Sequence, residues 1–406
     1  MNTRYNAIVV GKGGYVVNED ILEISEPSGI SYFENSHGNI PNNPGVRVKN
    51  IALCGLAALE DNPDFPGEKK LADSAFLINK GVINIHFDKI YALYKSRKEN
   101  PLDTDFDTVR CYAMAAGADS MLINEGTINV YMDNDIEARV SLYGCAMWAN
   151  ARSLMLNKGK INFLGNGSYQ SYIRGIGSMD SHLQCINDGE VNVKLDRAYQ
   201  TRILHTAGSF GSLLNNGKIS VDTTGRIMVL GSLMGTRMTN NGEIHIDDRA
   251  TWLKNIVPYH YQFDPLATAF YEHFPANDLP CSPMVNHGKV SINLYGTEAS
   301  GKNAVAFGFY LHQVGNNGKF GIHRLENDGE IVINQSGPEK YETAEIGINV
   351  QTAENVPTKV QIGRWRTSSK GGFIKYRSAE IDFSQMQLTD FDGNALSKEG
   401  IVKQLS

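Results

Sequence analysis

Apolar residues occupy alternate positions in eight short stretches of this chain. The pairs are Ile83/Ile85, Ile128/Val130, Ile161/Phe163, Val191/Val193, Ile219/Val221, Ile244/Ile246, Val290/Ile292 and Ile331/Ile333. The residues between them are mostly polar: Asn84, Asn129, Asn162, Asn192, Ser220, His245 and Ser291, with Val332 the exception. A period of two marks a strand with one face in a core and one in solvent. Apolar runs such as Phe76-Leu77-Ile78 and Met121-Leu122-Ile123 come just before, and predict a second strand entering a turn.

Each alternating stretch follows an Asn-x-Gly tripeptide, beginning at Asn79, Asn124, Asn157, Asn187, Asn215, Asn240, Asn286 and Asn327. Successive glycines are 45, 33, 30, 28, 25, 46 and 41 residues apart. One supersecondary unit is therefore copied along an axis. The 25-residue spacing is too short for a propeller blade of roughly 40–45 residues. It fits one coil of a parallel β-helix, with three short strands and three turns. Longer spacings keep the motif and add residues elsewhere, as solenoids do with loops.

Glycine permits positive φ, and asparagine tolerates a left-handed backbone or bonds the local main chain, so the motif reads as a turn. Stacked coil on coil, the asparagines are expected to bond one another along the axis. The residue after the glycine runs Lys160, Glu190, Lys218, Glu243, Lys289, Glu330. Alternating signs attract across neighbouring strands, where one sign would repel. Consecutive copies are therefore expected to stack directly, in register.

A further strand recurs between motifs, rich in small residues and glycine. Copies are Val109-Arg110-Cys111-Tyr112-Ala113-Met114, Leu142-Tyr143-Gly144-Cys145-Ala146, Tyr172-Ile173-Arg174-Gly175-Ile176-Gly177, Arg226-Ile227-Met228-Val229-Leu230-Gly231 and Val305-Ala306-Phe307-Gly308-Phe309. Small residues suit the corners of a tightly coiled sheet. Asn316-Asn317-Gly318 resembles the motif but reads as a turn within one coil. The expected division is 1–50 as N-terminal cap and first coils, 51–377 as β-helix with insertions at 87–108 and 249–284, and 378–406 as C-terminal cap or tail. Open coil ends expose strand edges, which is why caps are expected.

Length and charge narrow the function. The 406 residues carry a net charge of −6, which does not suggest a general nucleic-acid binder. Forty glycines fit many tight turns, and 20% charged residues argue against disorder. No apolar run is long enough for a transmembrane helix, and Met1-Asn2-Thr3-Arg4-Tyr5 opens no signal peptide. The five cysteines, at 54, 111, 145, 185 and 281, form no Cys-x-x-Cys, and the odd count leaves at least one unpaired. Small buried residues are their expected role, and free thiols lean towards a reducing compartment.

Candidate chemistry lies in the insertions and near the C-terminus. The 249–284 insertion gathers Tyr259, His260, Tyr261, Tyr271 and His273, rings that suit a sugar or a protein partner, or packing on the solenoid wall. The 358–377 stretch carries Arg364, Trp365 and Arg366 among other cations, with no acidic residue. Cations interleaved with aromatics suit an anionic polymer, and equally guard a strand edge. Gly296 to Asn303 nearly matches a phosphate-binding loop, but Asn303 replaces the magnesium-contacting hydroxyl. Asp247-Asp248 and Asp180-Ser181-His182 are the nearest acid sets for glycoside chemistry, which uses two carboxylates. Adjacent strand residues point to opposite faces, which separates Asp247 from Asp248. No metal or cofactor is implied by any motif.

The copies Leu-Leu-Asn215-Asn-Gly-Lys-Ile-Ser-Val and Met-Thr-Asn240-Asn-Gly-Glu-Ile-His-Ile resemble the turns of autotransporter passenger domains over roughly residues 76–336. Those are right-handed parallel β-helices exported by bacteria, mostly adhesins and sometimes enzymes. The resemblance implies an all-β fold: a single-stranded right-handed parallel β-helix with capped ends and long loop insertions. It implies a non-enzymatic, adhesin-like scaffold that binds a surface glycan or protein through loops, at the cell surface or outside the cell. The chain departs from that pattern in having no leader, no C-terminal membrane barrel and more cysteines, which keeps a cytoplasmic location open. The alternatives are a polysaccharide-acting enzyme and a structural protein that self-associates through its coil ends.

Overall fold

The alternating stretches are strands, and burial follows the alternation: in Val82–His86 and Thr127–Tyr131 only the apolar pairs are buried. The computed structural model describes residues 8–25, 50–61, 63, 69–86, 108–133, 141–168, 171–206, 208, 210–232, 235–249, 266–272, 283–296, 305–314, 322–338, 341–351, 358–369, 371–377 and 379–404. They form a right-handed parallel β-helix with three strands per coil. One coil runs Ser171–Ser178, Gln184–Asn187, Glu190–Arg197, and the next Gln200–Thr206, Ser212–Asn215, Lys218–Thr223. First strands stack into a 13-stranded sheet 1, second strands into a 12-stranded sheet 2, and third strands into a nine-stranded sheet 3. Pairing between coils is parallel; Lys69–Leu71 is an antiparallel addition to Asn50–Asp61.

The Asn-x-Gly turn joins sheet 2 to sheet 3, and its asparagines stack as expected. Asn18 donates its side-chain amide to Asn79, Asn79 to Asn124, and so on through Asn157, Asn187, Asn215, Asn240 and Asn286 to Asn327, at 2.7–2.8 Å. Asn327 then donates to the Arg366 carbonyl at 2.7 Å. The charged column is also in register, Lys160 against Glu190 and onward to Glu330.

The reason for glycine differs from the expectation. None of the motif glycines has positive φ. A Cβ at Gly189 would instead run into the carbonyl oxygen of Gly159 one coil earlier, and the same collision recurs in each copy. Glycine is needed for close stacking of backbones. The left-handed residues sit seven positions earlier, in the turn from sheet 1 to sheet 2: Ser74, Asp119, Arg152, His182 and Phe210, with φ of 56–60°.

One copy of the motif is disguised. Asn18-Glu19-Asp20 fills the turn of a first coil made by Ile8–Val10, Tyr15–Asn18 and Ile21–Ile24, with Asp20 where later copies have glycine. At the other end, Ala379–Asp382 and Gln387–Thr389 pair with Thr358–Arg366, and Val402–Gln404 pairs with Ile374–Arg377. Met386, Leu388 and Ile401 are buried there. Leu266–Glu272, inside the 249–284 insertion, is a regular strand of sheet 1. Asn316-Asn317-Gly318 and residues 297–303 lie outside the described residues.

The core fills the interior of the coils. Sheet 1 is unusual in burying its outer face too. One apolar patch there centres on Tyr112 and Trp148, another on Phe307 and Tyr310. The band between them is polar.

Candidate functional site

Strand parity builds that band. Alternate residues of a strand share a face, and parallel register places them in columns up the sheet. One column on sheet 1 reads Arg110, Tyr143, Tyr172, Gln200, Arg226. The next reads Cys145, Arg174, Arg202, Met228. Both lie on the outer face, where the apolar patches above and below are covered. Arg174, Arg202 and Arg226 are consequently 7%, 8% and 6% exposed.

Aromatic rings and one amide hold the guanidiniums in place. Tyr143 and Tyr172 stack at 4.4 Å between centroids. Arg174 lies over both rings, at 5.8 and 5.7 Å, and Arg110 lies over Tyr143 at 5.2 Å. Arg174 Nη2 donates to Gln200 Oε1 at 2.6 Å. Arg226 Nη2 donates to the Tyr271 hydroxyl at 3.3 Å and faces its ring at 5.8 Å. The faces of such rings attract cations.

Among the described residues no carboxylate pairs with Arg174 or Arg202. Arg174 Nη1 and Arg202 Nε are buried without a hydrogen-bond partner, as are both ring nitrogens of His205 and the indole Nε1 of Trp148. His205 and Trp148 lie on the same face, with centroids 6.2 Å apart. Burial pulls the Arg202 guanidinium below its usual value, and Arg174 and Arg226 add to the shift. Burial, then Arg174 and Arg202, hold His205 well below the histidine range, so it is neutral. Such a site can bind and orient a negative group.

Of the residues singled out in the sequence, the structure brings Tyr271 to this band, buried on sheet 1 beside Arg226. Tyr259, His260, Tyr261 and His273 lie outside the described residues. Arg364, Trp365 and Arg366 do not form one surface. Trp365 is 1% exposed in the core, and its indole nitrogen donates to Glu345. Arg364 is exposed and meets Glu326 and Asp328. Arg366 donates to the Phe391 carbonyl. Their cations are thus engaged at the C-terminal end. Arg174 and Arg202 carry no local signal: Arg174 lies between Ile173 and Gly175, and Arg202 between Thr201 and Ile203. Lining the strands up by register would have exposed the arginine–tyrosine parity.

The acid candidates do not converge. Asp247 faces outward on sheet 3, bonded by His245 at 2.8 Å and Asn293 at 2.8 Å. Asp248 points inward, 2% exposed, and accepts from the Tyr341 hydroxyl at 3.2 Å. Asp180 belongs to a different corner, the turn between sheets 1 and 2, beside the exposed His182 that stacks on Phe210. Among the described residues no three His, Cys, Asp or Glu side chains converge as metal ligands, and no helix is long and apolar enough to cross a membrane.

Residues 2–183 match the family described as the BigA third pectate lyase-like domain, a parallel β-helix type. The match ends within the coil that carries Arg174 and covers the first part of the arginine band. No curated protein and no solved structure matches the chain. The fold and the family match agree on a parallel β-helix, and the matched family suggests an adhesin-like or polysaccharide-related protein.

Proposed function

We propose that this chain is a non-enzymatic, adhesin-like β-solenoid that binds a surface glycan or protein through the outer face of sheet 1 and the insertions beside it. The observation that carries this reading is the arginine–tyrosine band. Guanidiniums held against aromatic rings, without a carboxylate partner for Arg174 or Arg202 among the described residues, suit recognition of an acidic partner. Tyr259, His260, Tyr261 and His273 flank the sheet 1 strand Leu266–Glu272 in sequence and are further candidate contacts. A binding scaffold of this kind works at the cell surface or outside the cell.

A second reading, a polysaccharide-acting enzyme, is favoured by the pectate lyase-like description of the matched family. Against it stands the separation of Asp180, Asp247 and Asp248. A glycan array, run beside a depolymerisation assay on acidic polysaccharides, tests both. Binding without cleavage is expected. Cleavage that disappears in Asp180→Asn or Asp247→Asn would replace the first reading with the second.

A further inference from the structure

We infer that Arg174 and Arg202 together hold one oxyanion, the carboxylate or sulfate group of an acidic saccharide. This rests on the binding reading above and narrows it to two residues and one chemical class.

The two arginines are Cα partners on adjacent strands, about 4.8 Å apart as parallel neighbours are. Two buried like charges in that relation repel, and each loses hydration. A negative group between them reverses both costs. Gln200 fixes the Arg174 fork through Nη2 and leaves Nη1 open. Arg202 leaves Nε open. Further along the same face, Trp148 Nε1 and the ring nitrogens of His205 are likewise buried without a partner. The open atoms are thus mainly donors. A carboxylate or sulfate has several oxygens and can accept from more than one of them; a neutral hydroxyl supplies neither the charge nor the capacity.

The surroundings also set the size. With both guanidiniums at least nine-tenths buried, the site suits a single compact group, such as the acidic substituent of one sugar.

The test uses the full chain, with binding read by calorimetry and thermal unfolding at constant ionic strength. The probes are sodium sulfate, sodium glucuronate and neutral glucose, with chloride as the balancing salt. Wild type is expected to bind sulfate or glucuronate saturably and to ignore glucose. Arg174→Met and Arg202→Met are each expected to weaken that binding at least tenfold. Arg237→Gln, at an exposed position on sheet 2, is expected to bind as wild type. Binding of glucuronate alone assigns a carboxylated sugar, and of sulfate alone a sulfated one. No saturable binding of either anion, or unchanged affinity in both methionine variants, overturns the inference. Should a methionine variant fail to fold, Arg202→Lys decides, since it keeps the charge and loses the planar fork; wild-type affinity there also overturns it. Cleavage of polysaccharide by the wild type would sink the non-enzymatic reading and leave the anion site standing. Array binding that survives Arg174→Met and Arg202→Met would do the reverse.

Discussion

The indole nitrogen of Trp365 donates to Glu345 Oε2 at 2.6 Å, across the solenoid interior from sheet 2 to sheet 1. Thr367 donates to the other carboxyl oxygen. Burial nevertheless dominates and pushes Glu345 up to about 7, while the bonds from Thr367 and Trp365 pull the other way. A folded-state value above the unfolded one means that the folded chain holds the extra proton. The resulting stability is complete below about pH 4 and is lost as pH rises towards 7, about 3 kcal/mol in all. Urea midpoints at pH 5 and pH 8 should show that loss in the wild type and a much smaller one in Glu345→Gln. Identical pH dependence in the two proteins would refute the assignment.

Asn187→Ala should weaken the middle of the solenoid by about 2–4 kcal/mol, since it deletes two buried side-chain bonds and strands their partners. Asn18→Ala removes only one bond of the column, at its end, and should cost less. Hydrogen exchange at the amides of Glu190–Arg197 and Lys218–Thr223 reads the difference locally, which suits a repeat protein whose coils open piecewise.

Gly189→Ala should be more damaging than its small size implies. The added methyl meets a backbone carbonyl of the preceding coil, and backbone cannot step aside as a flexible side chain can. Loss of soluble protein, or a lowered thermal midpoint with exchange spreading from this turn, is expected. A midpoint equal to wild type would show that the coils can separate at little cost.

Cys54, Cys111, Cys145 and Cys185 are buried thiols. Burial raises the thiols of Cys111 and Cys185, and Cys54 and Cys145 reinforce the shift at Cys111. Reaction with an alkylating reagent at pH 8 should spare these four in the native protein and reach all of them in denaturant, as read by peptide mass. Native labelling at Cys111 would show that this part of sheet 1 opens.

The repeat was legible because its signals are local. Lys160 and Glu190 declare their register by charge, and Ile161 and Phe163 declare their face by alternation. The copy at Asn18 escaped because Asp20 stands in the glycine position. The left-handed column escaped for a different reason: Ser74, Asp119, Arg152, His182 and Phe210 share a backbone conformation and no side-chain chemistry. The arginine band is legible only when strands 26–33 residues apart are laid side by side. Its burial depends on what covers sheet 1, which alternation within one strand does not report. Trp365 shows the converse: a tryptophan between two arginines reads as a surface, and strand parity sends it to the core.

The nine stacked asparagines act as a ruler. Each step from one amide to the next is one strand spacing, about 4.8 Å. Eight steps from Asn18 to Asn327 therefore amount to about 38 Å of height. That height is indifferent to the intervals of 25 to 61 residues between successive asparagines. Added residues widen the molecule at a chosen level and leave its length unchanged. Evolution can thus decorate any storey of this building without raising the roof.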